Sequence, residues 1–115
     1  MSYKITRINE SYVYEAPGHY DCRTTRLHDP QDVNDGAVTM GLTHFLPGGR
    51  TEFGNNPMES IYYIIQGEMT LKTDDGETVL RAGDSFHCGP GTNKCVTNTG
   101  TCCAQMLVVL HTPKK

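Results

Sequence analysis

Five histidines and five cysteines are among the residues of this 115-residue chain that could act as acids, bases, nucleophiles or metal ligands. His44 and His87 are candidate acid–base groups, because an imidazole titrates close to neutral pH. His44 follows Met40 and Leu42 at alternate positions of an apolar run, so we expect all three side chains to face the interior. For His87, a hydrogen-bonded structural role is the preferred interpretation.

The cysteines do not have the spacing of a zinc site or of a secreted disulfide framework. Their number is odd, no Cys-x-x-Cys motif is present, and Cys102 and Cys103 are adjacent. His87 and Cys88 are also adjacent, so on a strand their side chains point to opposite faces. We therefore interpret the cysteines as small packing residues in a reducing compartment. A metal site with unusual ligands, such as Glu59 and a nearby histidine, is kept as a weaker alternative.

Length and charge exclude several classes of function. A chain of this length fits a single domain. The net charge is −3 and no basic cluster precedes the terminal Lys114 and Lys115, so no nucleic-acid partner is expected. No apolar run approaches the roughly 20 residues that span a bilayer, and the first seven residues lack the apolar stretch of a signal peptide. These features predict a cytoplasmic protein without a membrane partner.

Short alternating apolar runs, separated by Gly, Pro, Asn and Asp, predict an all-β sandwich or barrel with almost no helix. The run 37–46 is predicted to end at Pro47-Gly48-Gly49. Later strands are predicted at 60–65, 69–72, 78–80, 85–88, 94–98 and 102–110, with a hairpin turn at Asp74-Asp75-Gly76. Residues 1–35 are polar and irregular, and predict an arm with one or two edge strands in the same domain as a barrel over 36–112.

The segment from Pro47 to Asn98 resembles the two motifs of the cupin family, G-x5-H-x-H-x3or4-E-x6-G and G-x5-P-x-G-x2-H-x3-N. The turn glycines of both motifs are present at Gly48, Gly67, Gly83 and Gly91. With the flanking strands, the resemblance extends from Ala37 to Leu110. It implies an all-β double-stranded β-helix, the cupin jelly-roll barrel, as a single domain.

The metal-binding positions of that family are not matched. They hold Phe53 and Asn55, or Gly54 and Asn56 in the shorter spacing, followed by Ser60 in the glutamate position and Lys94 in the last histidine position. An ammonium repels a divalent cation, and hydroxyl and amide groups are poor replacements for imidazole and carboxylate. Activities of the family that need its metal are therefore not carried over, and no metal or other cofactor is expected.

The resemblance implies that the side chains at the family's metal-binding positions point into the barrel. Residues two positions away on the same strands lie on the same face. The predicted substrate-binding residues are Met40, Phe53, Asn55, Ser60, Ile64, Val96 and Asn98, and the predicted catalytic residues are Lys94, His44 and Tyr62. For Asn98, a hydrogen bond that fixes a turn is an alternative. Lys94 could be a base or Schiff-base nucleophile with a lowered pKa, or a cation that binds a carboxylate, a phosphate or an enolate oxygen. Otherwise its side chain reaches out of the barrel mouth.

Three functions follow from this resemblance. The first is a metal-independent isomerase, epimerase or lyase that acts on a small oxygenated or anionic molecule, carbonyl or sugar-like, with His44, Lys94 and Tyr62 as its polar groups. The second is a non-catalytic cupin that binds or senses a small ligand. The third, weaker alternative is a metal-dependent cupin with atypical ligands. The resemblance also implies a homodimer. Alternation along the strand points Tyr63 away from the pocket, so we expect it to pack between sheets or at the dimer interface.

Overall fold

The computed structural model describes residues 3–33 and 36–112, and within these ranges the regular elements are strands and two short 3₁₀ turns, Ile8–Glu10 and Pro30–Asp32. The strands are β1 Tyr12–Tyr14, β2 His19–His28, β3 Val38–Thr51, β4 Glu59–Gln66, β5 Glu68–Thr73, β6 Gly76–Arg81, β7 Ser85–Cys88, β8 Lys94–Asn98 and β9 Ala104–His111. The all-β prediction is confirmed. Parts of the predicted arm (1–2 and 34–35) and the terminal lysines lie outside the described residues. In the described ranges no helix is long and apolar enough to cross a membrane.

The strands form one antiparallel sheet in the order β6-β5-β8-β3-β9-β4-β7, with β2 paired to β3 and β1 paired to β2. The sheet folds over so that two walls face each other, as in the predicted jelly roll. One wall contains β2, the first half of β3, β9, β4 and β7, and we call it the five-strand wall. The opposite wall contains β6, β5, β8 and the end of β3.

Strand β3 belongs to both walls, because it continues through Pro47-Gly48-Gly49 instead of ending there as the sequence predicts. Beside this segment the pairing with β2 shifts between Tyr20 and Cys22. Gly49 allows the crossing, since a Cβ atom at this position would lie 2.4 Å from the backbone oxygen of Asp21. Glycine here therefore permits a close backbone contact, and the strand bends without breaking.

The core lies between the walls and is formed by Phe45, Tyr62, Ile64, Met69, Val96, Ala104 and Met106. On β4 the predicted alternation is confirmed, because Ser60, Tyr62 and Ile64 are buried while Tyr63 is exposed. On β8 the same holds for Val96 and Asn98. These two strands therefore present the predicted faces to the interior.

On β3 the predicted face is wrong. Thr43 and Phe45 are buried, whereas His44 is exposed and Met40 and Leu42 are only partly buried. The apolar residues that made this run look like an inward face lie on the outside of the five-strand wall. The interior side of β3 carries a glycine at 41, a threonine and a phenylalanine, a combination that no simple alternation of apolar and polar residues reveals.

Candidate functional site

A cavity of about 700 Å³ lies between the two walls, and we call it the cup. Its floor on the five-strand wall is formed by Tyr62, Met106, Val108 and Leu110. The opposite side is formed by β8 and by the loop after β3. The volume is within the range of sites that bind small molecules, and an apolar lining with a few polar groups is typical of such sites.

Five of the predicted site residues line the cup together, namely Lys94, Tyr62, Phe53, Asn55 and Val96. The Lys94 Nζ lies 5.6 Å from the centroid of the Tyr62 ring, within the range of a cation–π contact. The Lys94 backbone exchanges hydrogen bonds of 2.9 and 3.1 Å with Gly54, which ties the start of β8 to the loop that carries Phe53 and Asn55. The structure thus brings the amine and the aromatic wall to the same cavity.

The other predicted site residues do not line the cup. Met40 and His44 point away from it on the outer side of β3, so the positions predicted for them are wrong. Ser60, Ile64 and Asn98 are inside the barrel but are buried in packing rather than in the cavity wall. Their inward direction was predicted correctly, while contact with a ligand in the cup is not available to them.

Asn98 has the structural role that the sequence offered as an alternative. Its amide nitrogen donates to the backbone oxygens of Phe45 (3.1 Å) and Cys102 (2.8 Å), and its amide oxygen accepts from the Gly100 nitrogen (3.0 Å). The side chain is 1% exposed. These three bonds fix the turn between β8 and β9 against β3, and they leave the buried amide no N–H donor for a substrate.

Ser60 and Cys88 are paired across β4 and β7 next to the floor of the cup. The Ser60 Oγ is buried and has no hydrogen-bond partner among the described residues. Burial raises the pKa of the Cys88 thiol, and the positive charge of Lys94 offsets part of this rise. The thiol is therefore a poor nucleophile near neutral pH.

The residues present do not fit the metal of the cupin family. Within residues 3–33 and 36–112, no three His, Cys, Asp or Glu side chains form a group that could hold a metal ion. Glu59 and His87 do meet, with Oε2 and Nε2 2.8 Å apart, but on the outer surface, where each is about half exposed. An ammonium and amides occupy the cup where the family has imidazole and carboxylate ligands.

The N-terminal arm supplies a side of the cup that the sequence did not predict. Residues 14–19 and Arg26 line it, together with Glu52 from the loop after β3. The arm is attached to this loop, since the Glu52 nitrogen donates to the Gly18 oxygen (2.8 Å) and the Tyr20 hydroxyl donates to the Glu52 carboxylate. That hydrogen bond raises the pKa of Tyr20.

His19 also lines the cup, and its neighbour determines which ring nitrogen carries the proton. Its Nδ1 lies 3.0 Å from the backbone oxygen of Pro17. A carbonyl oxygen can only accept, so the neutral ring donates its proton from Nδ1 and Nε2 keeps a lone pair. No motif in the sequence marks His19, and its place in the cup depends on the pairing of β2 with the end of β3.

Comparison with known proteins agrees with this architecture. The family model for the cupin domain matches residues 41–110. A curated protein of Mycobacterium tuberculosis (strain ATCC 25618 / H37Rv), named Beta-D-galactosidase Rv1717, is 31% identical over 110 residues, which cover 96% of this chain and 95% of that protein.

Two solved structures illustrate the likeness in three dimensions. The polyketide cyclase RemF from Streptomyces resistomycificus superposes with a TM-score of 0.82 at 18% identity, over 96% of this chain and 80% of that chain. A sugar phosphate isomerase of the cupin superfamily from Silicibacter pomeroyi gives a TM-score of 0.77 at 17% identity, over 96% and 76%. At these identities the likeness shows the fold alone.

Proposed function

The chain belongs to the cupin domain family, and we propose that its cup binds a small oxygenated, sugar-like molecule and converts it in a metal-independent, isomerase- or lyase-type reaction. The observation that carries this proposal is Lys94. Its ammonium takes the place of a metal-binding histidine, lines the cup and lies 5.6 Å from the Tyr62 ring. The relative that covers almost the whole chain is named for action on a galactoside, which supports a sugar as ligand.

The groups around the cup can support removal of a proton next to a carbonyl group. Such a reaction needs a base and a group that stabilises the negative oxygen of the enolate. Lys94 can supply the positive charge, and the Tyr62 hydroxyl is a further donor. His44 cannot be the base, because it lies on the outer surface. We assign the base instead to His19, whose Nε2 has a lone pair and which lines the same cavity.

Hydrolysis of a glycoside is a second candidate, favoured by the name of the curated relative. Glycosidases commonly use two carboxyl groups on either side of the bond that is cleaved. Glu15 and Glu52 both line the cup. Glu52 accepts a hydrogen bond from Tyr20, which holds its carboxylate in place. In this mechanism Lys94 binds sugar hydroxyl groups rather than an enolate.

The Lys94→Met variant tests the proposal, with Lys72→Met as matched control. Lys72 is exposed on β5, outside the cup, and its ammonium also lies over an aromatic ring, at 5.5 Å from the Phe53 centroid. We expect Lys94→Met to weaken the binding of galactose about tenfold or more, measured by titration calorimetry, because a charged hydrogen-bond donor is lost. Lys72→Met should bind as the wild type does.

Turnover is measured separately on the same proteins. Exchange of sugar carbon-bound protons with deuterated water, followed by NMR, reports an isomerase-type reaction and should disappear in His19→Gln. Release of nitrophenol from nitrophenyl β-D-galactoside reports hydrolysis and should disappear in Glu15→Gln or Glu52→Gln. Binding without either reaction would show a non-catalytic ligand-binding cupin. Equal binding by wild type and Lys94→Met would contradict the central role of Lys94.

We also propose that two copies pair through the outside of the five-strand wall. Its centre is an apolar face formed by Met40, Leu42, Ile61, Tyr63, Leu107 and Val109, which adjoin one another in the strand register. We call it the outer apolar face. Ile61 is 51% and Tyr63 45% exposed. Exposed Arg23 lies beside His44 at one corner and Glu59 lies at the opposite corner, so a second copy turned corner to corner brings opposite charges together.

A further inference from the structure

Arg26 is an ionised side chain of the cup that the proposed reaction does not use. It lies on β2 and reaches the cup from the side of the arm. Its Nε is buried and has no hydrogen-bond partner among the described residues. Arg26 forms a loose ion pair with Asp29, whose Oδ1 is 3.9 Å from Nη1, too far for a hydrogen bond. The buried Nε is closed to a ligand in the cup, whereas Nη1 makes no hydrogen bond to Asp29 at this distance and can donate to a further acceptor.

The surroundings of Arg26 hold the guanidinium in one orientation. Its Cζ lies 4.4 Å from the centroid of the Tyr14 ring, so the planar group rests on an aromatic face. Tyr14 in turn reaches across Gly41, where an added Cβ atom would lie 3.7 Å from the Tyr14 hydroxyl and 3.2 Å from the Thr25 backbone oxygen. Glycine at 41 thus avoids a tight contact with the Thr25 backbone oxygen, and the Tyr14 hydroxyl lies at van der Waals distance beside it. A rigid support reduces the entropy that is lost when Arg26 binds a ligand.

The register places Arg26 and Tyr62 at different ends of the cup. Arg26 pairs with Gly41, Gly41 with Val108, and Val108 with Tyr62, so all four share one row across the five-strand wall. Three strand spacings separate the backbones of Arg26 and Tyr62, or about 14 Å. A ligand that reaches both ends therefore has one group for Arg26 that is distinct from the atoms that react near Lys94.

We infer that Arg26, supported by Tyr14, is the binding point for an acidic group of the ligand, a carboxylate or a phosphate. This inference rests on the proposed function and narrows its substrate class to acidic sugars. A guanidinium binds planar or tetrahedral oxyanions through two parallel N–H donors, which an ammonium cannot do. Glu52, the carboxylate on the other side of the arm, is engaged by the Tyr20 hydroxyl.

The test compares galactose, galacturonate and galactose 6-phosphate as ligands of the full chain by titration calorimetry. We expect one of the two acidic sugars to bind about tenfold or more tightly than galactose, because a charge-assisted bidentate contact is added. The tighter of the two identifies the group as carboxylate or phosphate. Arg26→Met should remove this preference while galactose itself binds within about threefold of wild type.

The matched control is Arg23→Met, three residues earlier on the same strand, with its side chain exposed on the outer side beside His44. It should keep the preference for the acidic sugar. Arg26→Lys retains the positive charge and is the second variant in case Arg26→Met does not fold. It should lose most of the preference for the acidic sugar. The inference is overturned if both Arg26 variants still bind the acidic sugar more tightly than galactose. It is also overturned if the wild type binds galactose at least as tightly as it binds each acidic sugar. If none of the three sugars binds, both the proposed function and the inference on Arg26 are wrong.

Discussion

The two faces of the five-strand wall differ in a way that hydrophobicity alone does not reveal. The inner face carries Phe45, Ile64 and Met106 in the core, but it also carries Arg26 and Thr43 at the cup. The outer apolar face has no charged residue at its centre. In most antiparallel sheets the solvent side is the polar one. Here polar groups line the cavity on the inner face, and apolar groups lie outside, where the proposed second copy of the chain would cover them.

This difference explains why the sequence predicts the wrong face for β3 but the correct faces for β4 and β8. On β3 the only guide was the apolar alternation of Met40 and Leu42, which marks the outer face equally well. On β4 and β8 the positions of Ser60 and Lys94 relative to motif glycines fixed the register independently of hydrophobicity. A one-residue error in register moves every side chain of a strand to the opposite face. His44 therefore lies on the outer face together with Met40 and Leu42.

The largest expected effect that tests the difference between the inner and outer faces comes from two adjacent substitutions on β3. Phe45 is 1% exposed and Leu46 is 55% exposed. Phe45→Ala should lower the free energy of unfolding by about 3–5 kcal/mol, because it leaves a cavity in the core. Leu46→Ala should change it by less than about 0.5 kcal/mol. Both values come from urea unfolding followed by circular dichroism, and similar losses for the two variants would contradict the assignment of faces.

A second pair tests the buried amide at the turn before β9. Asn98→Ala leaves the carbonyls of Phe45 and Cys102 without their donor, and should cost about 1–3 kcal/mol in unfolding free energy. Asn55→Ala is the control, since Asn55 is exposed and bonds only the side chain of Asn93 among the described residues. It should leave stability almost unchanged. An Asn98→Ala protein as stable as wild type would show that this amide is not needed for the turn.

The third prediction concerns the outer apolar face. A substitution there should change the oligomeric state but alter the stability of the single chain only slightly. Tyr63→Glu places a charge at the centre of the proposed interface, so light scattering coupled to gel filtration should report a monomer where wild type is a dimer. Val79→Glu is the control, because Val79 is an exposed apolar residue (43%) on β6, away from this face. It should remain dimeric. A monomeric wild-type protein would remove the proposed pairing.

The sequence was sufficient for the barrel but not for the whole of its cavity. Strands β4 to β8 were predicted within one or two residues, because the turn glycines and the Asp74-Asp75-Gly76 hairpin bound them closely. The places of His19, Arg26 and Glu52 could not be predicted in this way. His19 and Arg26 reach the cup only because β2 pairs with β3 over a long separation in the chain, and neither belongs to a motif.

The attachment of the arm has a consequence for how such proteins diversify. The segment 14–26 contributes one side of the cup, yet it precedes the residues 41–110 that define the family. Mutations of its cup-lining residues can change which molecule is accepted while the turns and core within 41–110 stay the same. Two relatives that share residues 41–110 can therefore bind different molecules, and exchanging residues 11–28 between them, which transfers β1 and β2, is expected to exchange their ligand preferences.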